Sequence, residues 1–207
     1  ASLGGNKGWG FDHPTQNLYK EFEDGDIRRD VAISKPTDSE IDGNAELNYL
    51  GNVYNNNKTS YCENGIYIAL DHPSRSPLNY RLIRLSDVML MYAEAALESG
   101  KDIAVAKTML NKVRERVGMP AFPDNPEDLR KAIRHERRVE LAMEGHRWFD
   151  LCRWGIAYEV MDKDNGSYGK NESAEARAEM ASFVKGKHEL FPIPAEEINL
   201  NPMEQNN

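Results

Sequence analysis

The chain has 207 residues, of which 40% are hydrophobic and 29% charged, and a formal net charge of −8. That length and mix suit a globular domain with a real core, and the acidic balance argues against nucleic acid as the main partner, because phosphate binding needs a basic face. Cys62 and Cys152 are the whole cysteine complement and make no disulfide framework; no run of about 18 apolar residues could span a membrane.

The chain opens at ASLGGNKGWG, with neither an initiating methionine nor a leader, and reads as a piece of something longer. Its first segment clusters Gly4, Gly5, Gly8 and Gly10 around Trp9. A short helix is expected from Pro14 to Glu23, with Leu18, Tyr19 and Phe22 on one side, then a short strand at Val31 to Ile33. Residues 34–80 lose helical periodicity and are rich in Asn, Gly, Ser, Pro and Tyr. Within them Tyr61-Cys62 and Ile66 to Leu70 flank Asn64-Gly65, a dipeptide that favours a tight hairpin turn. The segment is loop-heavy, with at most one small hairpin.

From Tyr80 the pattern turns helical. Val88, Met91, Tyr92, Ala95 and Ser99 share a face, while Met89, Ala96 and Leu97 leave the other sides mostly apolar, so this helix should pack on more than one side. Gly100 stops it and Asp102 caps the next helix, whose Ile103, Ala106, Leu110, Val113 and Val117 align at spacings of 3 and 4 until Gly118 and Pro120. Two such helices around a glycine turn form an αα-hairpin of tetratricopeptide type.

The stretch from Asn125 to Gly155 reads NPEDLRKAIRHERRVELAMEGHRWFDLCRWG. Asn125 can cap and Pro126 suits a first helical position, so a helix is expected to about Met143, with a stop near Gly145 and a second helix from His146 to Met161. At ~100° per residue, Ala132, Ile133, Val139 and Met143 form an apolar stripe with Glu136 and Glu140 in its middle, and Arg130, Lys131, Arg134 and Arg138 lie on the face expected to be wet. Carboxylates on a buried face need an explanation. One is an acid/base pair of the kind used in glycoside hydrolysis. The other is a structural network in which Arg147, Arg153, His146 or the indole N–H groups of Trp148 and Trp154 on the partner helix satisfy the carboxylates.

After this, DKDNGSYGKNES at 162–173 is a polar loop, Glu175 to Phe183 suits a short helix, and the proline-rich tail is expected to be extended, with Leu190, Phe191 and Ile193 sealing the side of the helical layer. The fold expected is mainly α: tetratricopeptide-like helix pairs over 81–161, a loop-rich segment over 1–80, and a loop, helix and tail over 162–207.

The chemical inventory is short. Five scattered histidines have no metal-ligand spacing, and no phosphate loop or nucleophile with a base is present, so neither a metal nor a cofactor is expected. The most distinctive loop feature is aromatic. Trp9, Tyr54 and Tyr61 among Asn, Asp and Gly suit a sugar ligand, since ring faces stack on a pyranose and short amides take its hydroxyls. The alternative is that these rings anchor loops to the helices.

The runs GWGFDHPTQNLYKEFEDGDIRRD, LMYAEAALESG, LNKVRERVGMP, IRHERRVELAMEGHRWFDLCRWG and GKHELFPIPAEEINLNP, in this order along the chain, resemble the C-terminal part of the SusD/RagB family. The resemblance implies a surface lipoprotein of the bacterial outer membrane that binds nutrients, usually oligosaccharides, without catalysis and sits on a TonB-dependent transporter of SusC type. It also implies an N-terminal half and a lipid anchor that this sequence lacks, and a structural role for the stretch around Glu136, Glu140, Arg147, Trp148 and Trp154. It assigns no binding residue. Two other readings stand beside it: an α-helical glycoside hydrolase using Glu136 and Glu140, and a tetratricopeptide module that binds peptides.

Overall fold

In a computed structural model of the chain, residues 12–35, 54–58, 62–63, 66–67, 81–122, 126–180 and 182–205 are described. Helix α1, Gln16–Glu21, is shorter than Pro14 to Glu23 because both flanks are extended: Thr15 accepts the Leu18 N–H at 3.1 Å as N-cap, and Phe22 leaves the helix to enter the core. Most of the strand expected at Val31 to Ile33 is instead a helical turn, α2, Arg28–Ala32. Asp26 explains the difference. Its Oδ1 accepts the Arg28 N–H at 3.0 Å and starts a turn where side-chain pattern alone suggested extension. Only β1, Ile33–Ser34, pairs, antiparallel to β2, Asn55–Asn56, in the register Ile33↔Asn56. A second small antiparallel pair, β3 at Cys62–Glu63 and β4 at Ile66–Tyr67, stands where the hairpin was expected, and its Asn64-Gly65 turn lies outside the described residues.

The scaffold starts with α3, Leu85–Ser99, and α4, Ile103–Glu115. Gly100 takes a left-handed φ of 65° and its N–H returns to the Leu97 carbonyl at 3.0 Å, while Asp102 caps α4 through the Val105 N–H at 3.0 Å. Leu90, Ala93, Ala96 and Leu97 of α3 pack on Ala106, Leu110 and Val113 of α4 and on Leu129, Ala132 and Ile133 of the next helix. The face of Val88, Met91, Tyr92 and Ala95, also apolar in sequence, points away from this core. Ala93 and Ala96 decide the matter, because small side chains let α4 approach closely. A Cβ at residue 100 would meet nothing within 4 Å, so Gly100→Ala isolates the left-handed backbone penalty. We expect it to cost about 1–2 kcal/mol in urea denaturation; an unchanged midpoint would show that the turn relaxes to another conformation.

Helix α5, Pro126–Glu140, stops three residues before Met143. A turn follows in which Met143 and Gly145 both have positive φ, 60° and 79°. The single helix expected over His146 to Met161 is two, α6 at Arg147–Arg153 and α7 at Ala157–Met161. Gly155 breaks it with φ 69°, and the paired bonds Gly155 N–H to Cys152 and Ile156 N–H to Leu151, both 3.0 Å, close α6 as a Schellman motif. A 3-10 turn at Gly169–Asn171 and α8 at Ala174–Glu179 follow. The tail is not wholly extended: Pro194 precedes a helix, α9 at Ala195–Leu200, with Glu196 and Glu197 in its first turn, where the helix dipole favours them. Leu190 and Phe191 remain largely exposed, although the Phe191 ring reaches Trp148 of α6, and Ile193 is half-buried.

Candidate functional site

Helix α5 is the platform on which the loop-bearing segments are held. Glu136 and Glu140 lie one turn apart beside Ala132, Ile133 and Val139, and only 0% and 3% of them is exposed. Arg28 of α2 places one Nη between them, 2.5 Å from Glu136 and 2.9 Å from Glu140, while its other guanidinium nitrogens hold Asp26. Arg114, at the end of α4, reaches the second oxygen of Glu136 at 3.0 Å, binds Glu23 at 2.7 Å, and lies 4.5 Å from the Phe122 ring centre. Glu140 also receives Arg84 at 2.5 Å and Arg116 on both oxygens at 2.8 Å. Burial alone would raise the Glu140 pKa, but hydrogen bonds from Arg84 and Arg28 and the charges of Arg84 and Arg116 hold it down at about 2. It is ionised at neutral pH and has no proton to give as a general acid.

The pair therefore sits in an arginine network, but with different arginines from those the sequence suggested. Arg147 donates from Nε to the Tyr168 hydroxyl at 2.9 Å and stands 5.9 Å from the Trp154 ring. The Trp154 indole donates to Glu94 at 2.6 Å, and Trp148 packs on Phe183 and Phe191 at 6.1 and 6.5 Å between ring centres. The turn after α5 is the cause: it delivers α6 to the flank of α5 marked by Arg137, leaving the Glu136–Glu140 stripe to α2 and the end of α4. Arg137 grips Asp150 of α6 with two nitrogens at 2.9 and 3.1 Å and Asp87 of α3 with the third at 3.1 Å. This second joint, extended by Arg153 between Asp150 and Glu94, was not singled out in the sequence. The available signals were an arginine bordering the apolar stripe and an aspartate in the first turn of an apolar helix.

A third group of contacts clips residues 12–35 and 54–58 to α5. His135 Nδ1 lies 2.8 Å from Glu21 and Nε2 lies 3.1 Å from Glu23. Arg138, expected to be wet, reaches Glu21 at 2.5 Å and also Asn17. Lys58 donates to the Glu140 and Ala142 carbonyls at 2.7 and 3.1 Å and pairs with Glu144, capping the end of α5 from the loop side. Phe22, Ala32, Ile33 and Tyr54 pack on Val139 and Ala142 beneath these charges.

Of the three aromatic candidates, Tyr54 lies among the described residues, and Trp9 and Tyr61 lie outside them. Tyr54 is 8% exposed, with one ring face stacked on Tyr19 at 4.5 Å and 22°. Arg29 stands 5.2 Å from the centre of the Tyr19 ring. The backbone carbonyl of Tyr54 also meets His13 Nδ1 at 3.0 Å. In this position Tyr54 holds the β2 segment against α1.

The two titrations behave oppositely. Glu140 is depressed, so its contribution is complete above its unfolded value of 4.5 and is lost as pH falls through its folded value of about 2. At 1.36 kcal/mol per unit, that is on the order of 3 kcal/mol. For His135, burial pulls the pKa down, but the hydrogen bond and charge of Glu21, with the charges of Glu136 and Glu23, raise it above 6.5. Its contribution is complete below 6.5 and fades as pH rises through the higher folded value. Urea titrations are expected to show a steep loss of stability between about pH 4.5 and about pH 2; a flat profile there would mean that Glu140 is not held by its arginines.

The family model of the SusD family matches residues 72–207. The SusD-like protein P2 of Formosa agariphila is 26% identical over 215 residues, covering 97% of this chain and 40% of that protein. A SusD homolog from Bacteroides thetaiotaomicron, known from its crystal structure, superposes with a TM-score of 0.66 at 29% identity, covering 88% of this chain and 40% of its own. The surface glycan-binding protein A of Bacteroides uniformis does so with a TM-score of 0.61 at 26% identity, covering 98% and 42%. The chain thus spans about 40% of the length of the relatives it matches. The matched stretch takes in both helix pairs and, within them, Glu136, Glu140 and Arg137, the residues on which the scaffold is joined, and the chain belongs to the SusD family.

Proposed function

We propose that these 207 residues are the C-terminal part of a surface glycan-binding protein, which captures oligosaccharide at the bacterial outer membrane and passes it, chemically unchanged, to a TonB-dependent transporter of SusC type. In this reading residues 1–80 form the loop layer, 81–161 the two helix pairs, and 162–207 the closing loop and tail, with a lipid anchor supplied by sequence outside this chain. The observation that carries the reading is the likeness to the surface glycan-binding protein A of Bacteroides uniformis across 98% of the chain. The saturated carboxylates support binding over hydrolysis, because Glu136 and Glu140 face guanidinium groups. Trp9 and Tyr61 are the proposed ring contacts to sugar; Tyr54 is proposed to contribute an edge of its ring and to position the loop that carries Tyr61.

A glycan array followed by calorimetry on the full-length protein tests the proposal. Binding of an oligosaccharide is expected, with at least a tenfold loss in Trp9→Ala or Tyr61→Ala, corresponding to about 1.4 kcal/mol. If no glycan is bound, or if the wild-type protein hydrolyses the glycan that it binds, the reading fails.

A further inference from the structure

His135 stands on α5 with a carboxylate against each of its ring nitrogens. Nδ1 lies 2.8 Å from Glu21, the last residue of α1, and Nε2 lies 3.1 Å from Glu23 just beyond it. A neutral imidazole carries one N–H, so either tautomer turns a bare lone pair toward a carboxylate; the imidazolium presents a proton to both. Nε2 is shut off from water and is not aligned for a hydrogen bond, so its contact with Glu23 depends on the charge of the ring. Glu136 and Arg138 adjoin the ring on α5, and Arg114 reaches Glu23 from α4. Arg28 of α2 holds Asp26 and Glu136, and the charge of Arg147 of α6 reaches Glu21. Burial opposes ionisation of Glu21 and Asp26, yet their histidine and arginine partners hold both below the ordinary carboxylate range, and Arg114 holds Glu23 there. Of these side-chain types, only an imidazole ordinarily changes charge near neutrality.

We propose that His135 is a proton-operated latch, which holds α1 on α5 while its ring is charged and loosens α1 when the medium turns alkaline. Gly25, with φ 84°, separates this attachment from the next, where Arg28 joins Asp26 to Glu136 and Glu140 through arginine and carboxylates alone. Helix α1 can therefore shift while α2 keeps its place. Part of the hold persists, because Arg138 keeps Glu21 and Arg114 keeps Glu23, so a neutral ring loosens α1 without casting it off. The sign follows from the folded ring, whose pKa burial lowers but Glu21, Glu136 and Glu23 raise above 6.5. The hold is complete below 6.5 and is lost as pH rises through the higher folded value. Tyr19 of α1 stacks on Tyr54 at 4.5 Å. The latch thus governs one support of the rings proposed to meet sugar, a step that rests on that proposed function.

The test uses the full-length protein with isotope-labelled histidine, and His135→Gln to assign the ring signals and remove the latch. Both ring nitrogens of His135 should be protonated at about pH 6, and the ring should titrate above 6.5. Across that titration hydrogen-exchange protection of α1, corrected for intrinsic rates, should fall about threefold or more while α3 and α4 keep theirs. In His135→Gln the protection of α1 should no longer follow pH. Glu23→Gln should move the ring's titration downward, and the loss of protection with it. A ring that titrates at or below 6.5, a flat profile for α1, or a pH dependence that survives His135→Gln overturns the proposal. So does an equal loss in α3 and α4, which would make the histidine a determinant of global stability and not a latch. Calorimetry with the glycan that an array identifies should show weaker binding at about pH 9 than at about pH 6, in the wild type and not in His135→Gln. A pH-independent affinity overturns the link to Tyr54. Absence of any bound glycan would end the proposed function and leave the exchange result to decide the latch.

Discussion

Glu136→Gln is expected to be among the most damaging single changes in the protein. The amide keeps the volume but turns an NH₂ toward a guanidinium and withdraws the charge shared by Arg28 and Arg114. Both arginines keep another carboxylate, Asp26 with Glu140 for one and Glu23 for the other, which limits the damage. Breaking a buried pair costs roughly 3–5 kcal/mol, and those remaining partners place this variant near the lower bound. The effect should be local first. Arg28 ties α2 to α5, so limited proteolysis should cut earlier within residues 12–35 while the α3–α4 hairpin stays protected. A loss below about 1 kcal/mol would mean that water replaces the missing charge and that the network is open.

Arg137→Met should be comparably severe but global. The thioether can fill much of the space, so the loss is electrostatic: the buried carboxylates of Asp87 and Asp150 lose their shared guanidinium. Asp150 still has Arg153, so Asp87 is the uncompensated charge, and roughly 3–5 kcal/mol is again expected. Adding Asp87→Asn to Arg137→Met should recover some of that loss, a non-additivity that a double-mutant cycle reads directly. Arg137→Lys should fall between, since an ammonium cannot grip Asp150 with two nitrogens and reach Asp87 with a third. Because this joint ties α3, α5 and α6, protection should fall across the scaffold together. If Asp87→Asn and Arg137→Met were simply additive, the two side chains would not share the interaction that the geometry describes.

These two joints also mark where the sequence was legible. Features governed by neighbours could be read: Gly100 ending one helix, Asp102 starting the next, and the burial of Glu136 and Glu140 from their place on an apolar stripe. The partners could not. Arg28 is 108 residues from Glu136 and Arg84 is 56 from Glu140, and nothing local brings those distances to a contact. The nearer candidates, Arg147 and the tryptophans, were set aside by a turn whose direction depends on Met143, a residue with no evident turn signal adopting a left-handed conformation. The same limit applies to α3. Its two apolar faces are equivalent in the pattern, and only the position of α4 shows which one is inside. Periodicity likewise missed α2 and α9, one started by an aspartate side chain and the other by a proline that read as an extended tail.

The charged clips between the loop layer and α5 have a consequence for change over time. A layer held by apolar interdigitation must be redesigned whenever its sequence drifts, since every contact depends on its neighbours' volumes. Here much of the attachment runs through a few ionic points, Glu21, Asp26, Arg28 and Lys58, over the small apolar patch of Phe22, Ala32, Ile33 and Tyr54. Substitutions at exposed described positions between those anchors, Asp24 and Val31 among them, are expected to leave the scaffold as it is. The anchors are thus the points at which a change in this segment would be felt by the scaffold.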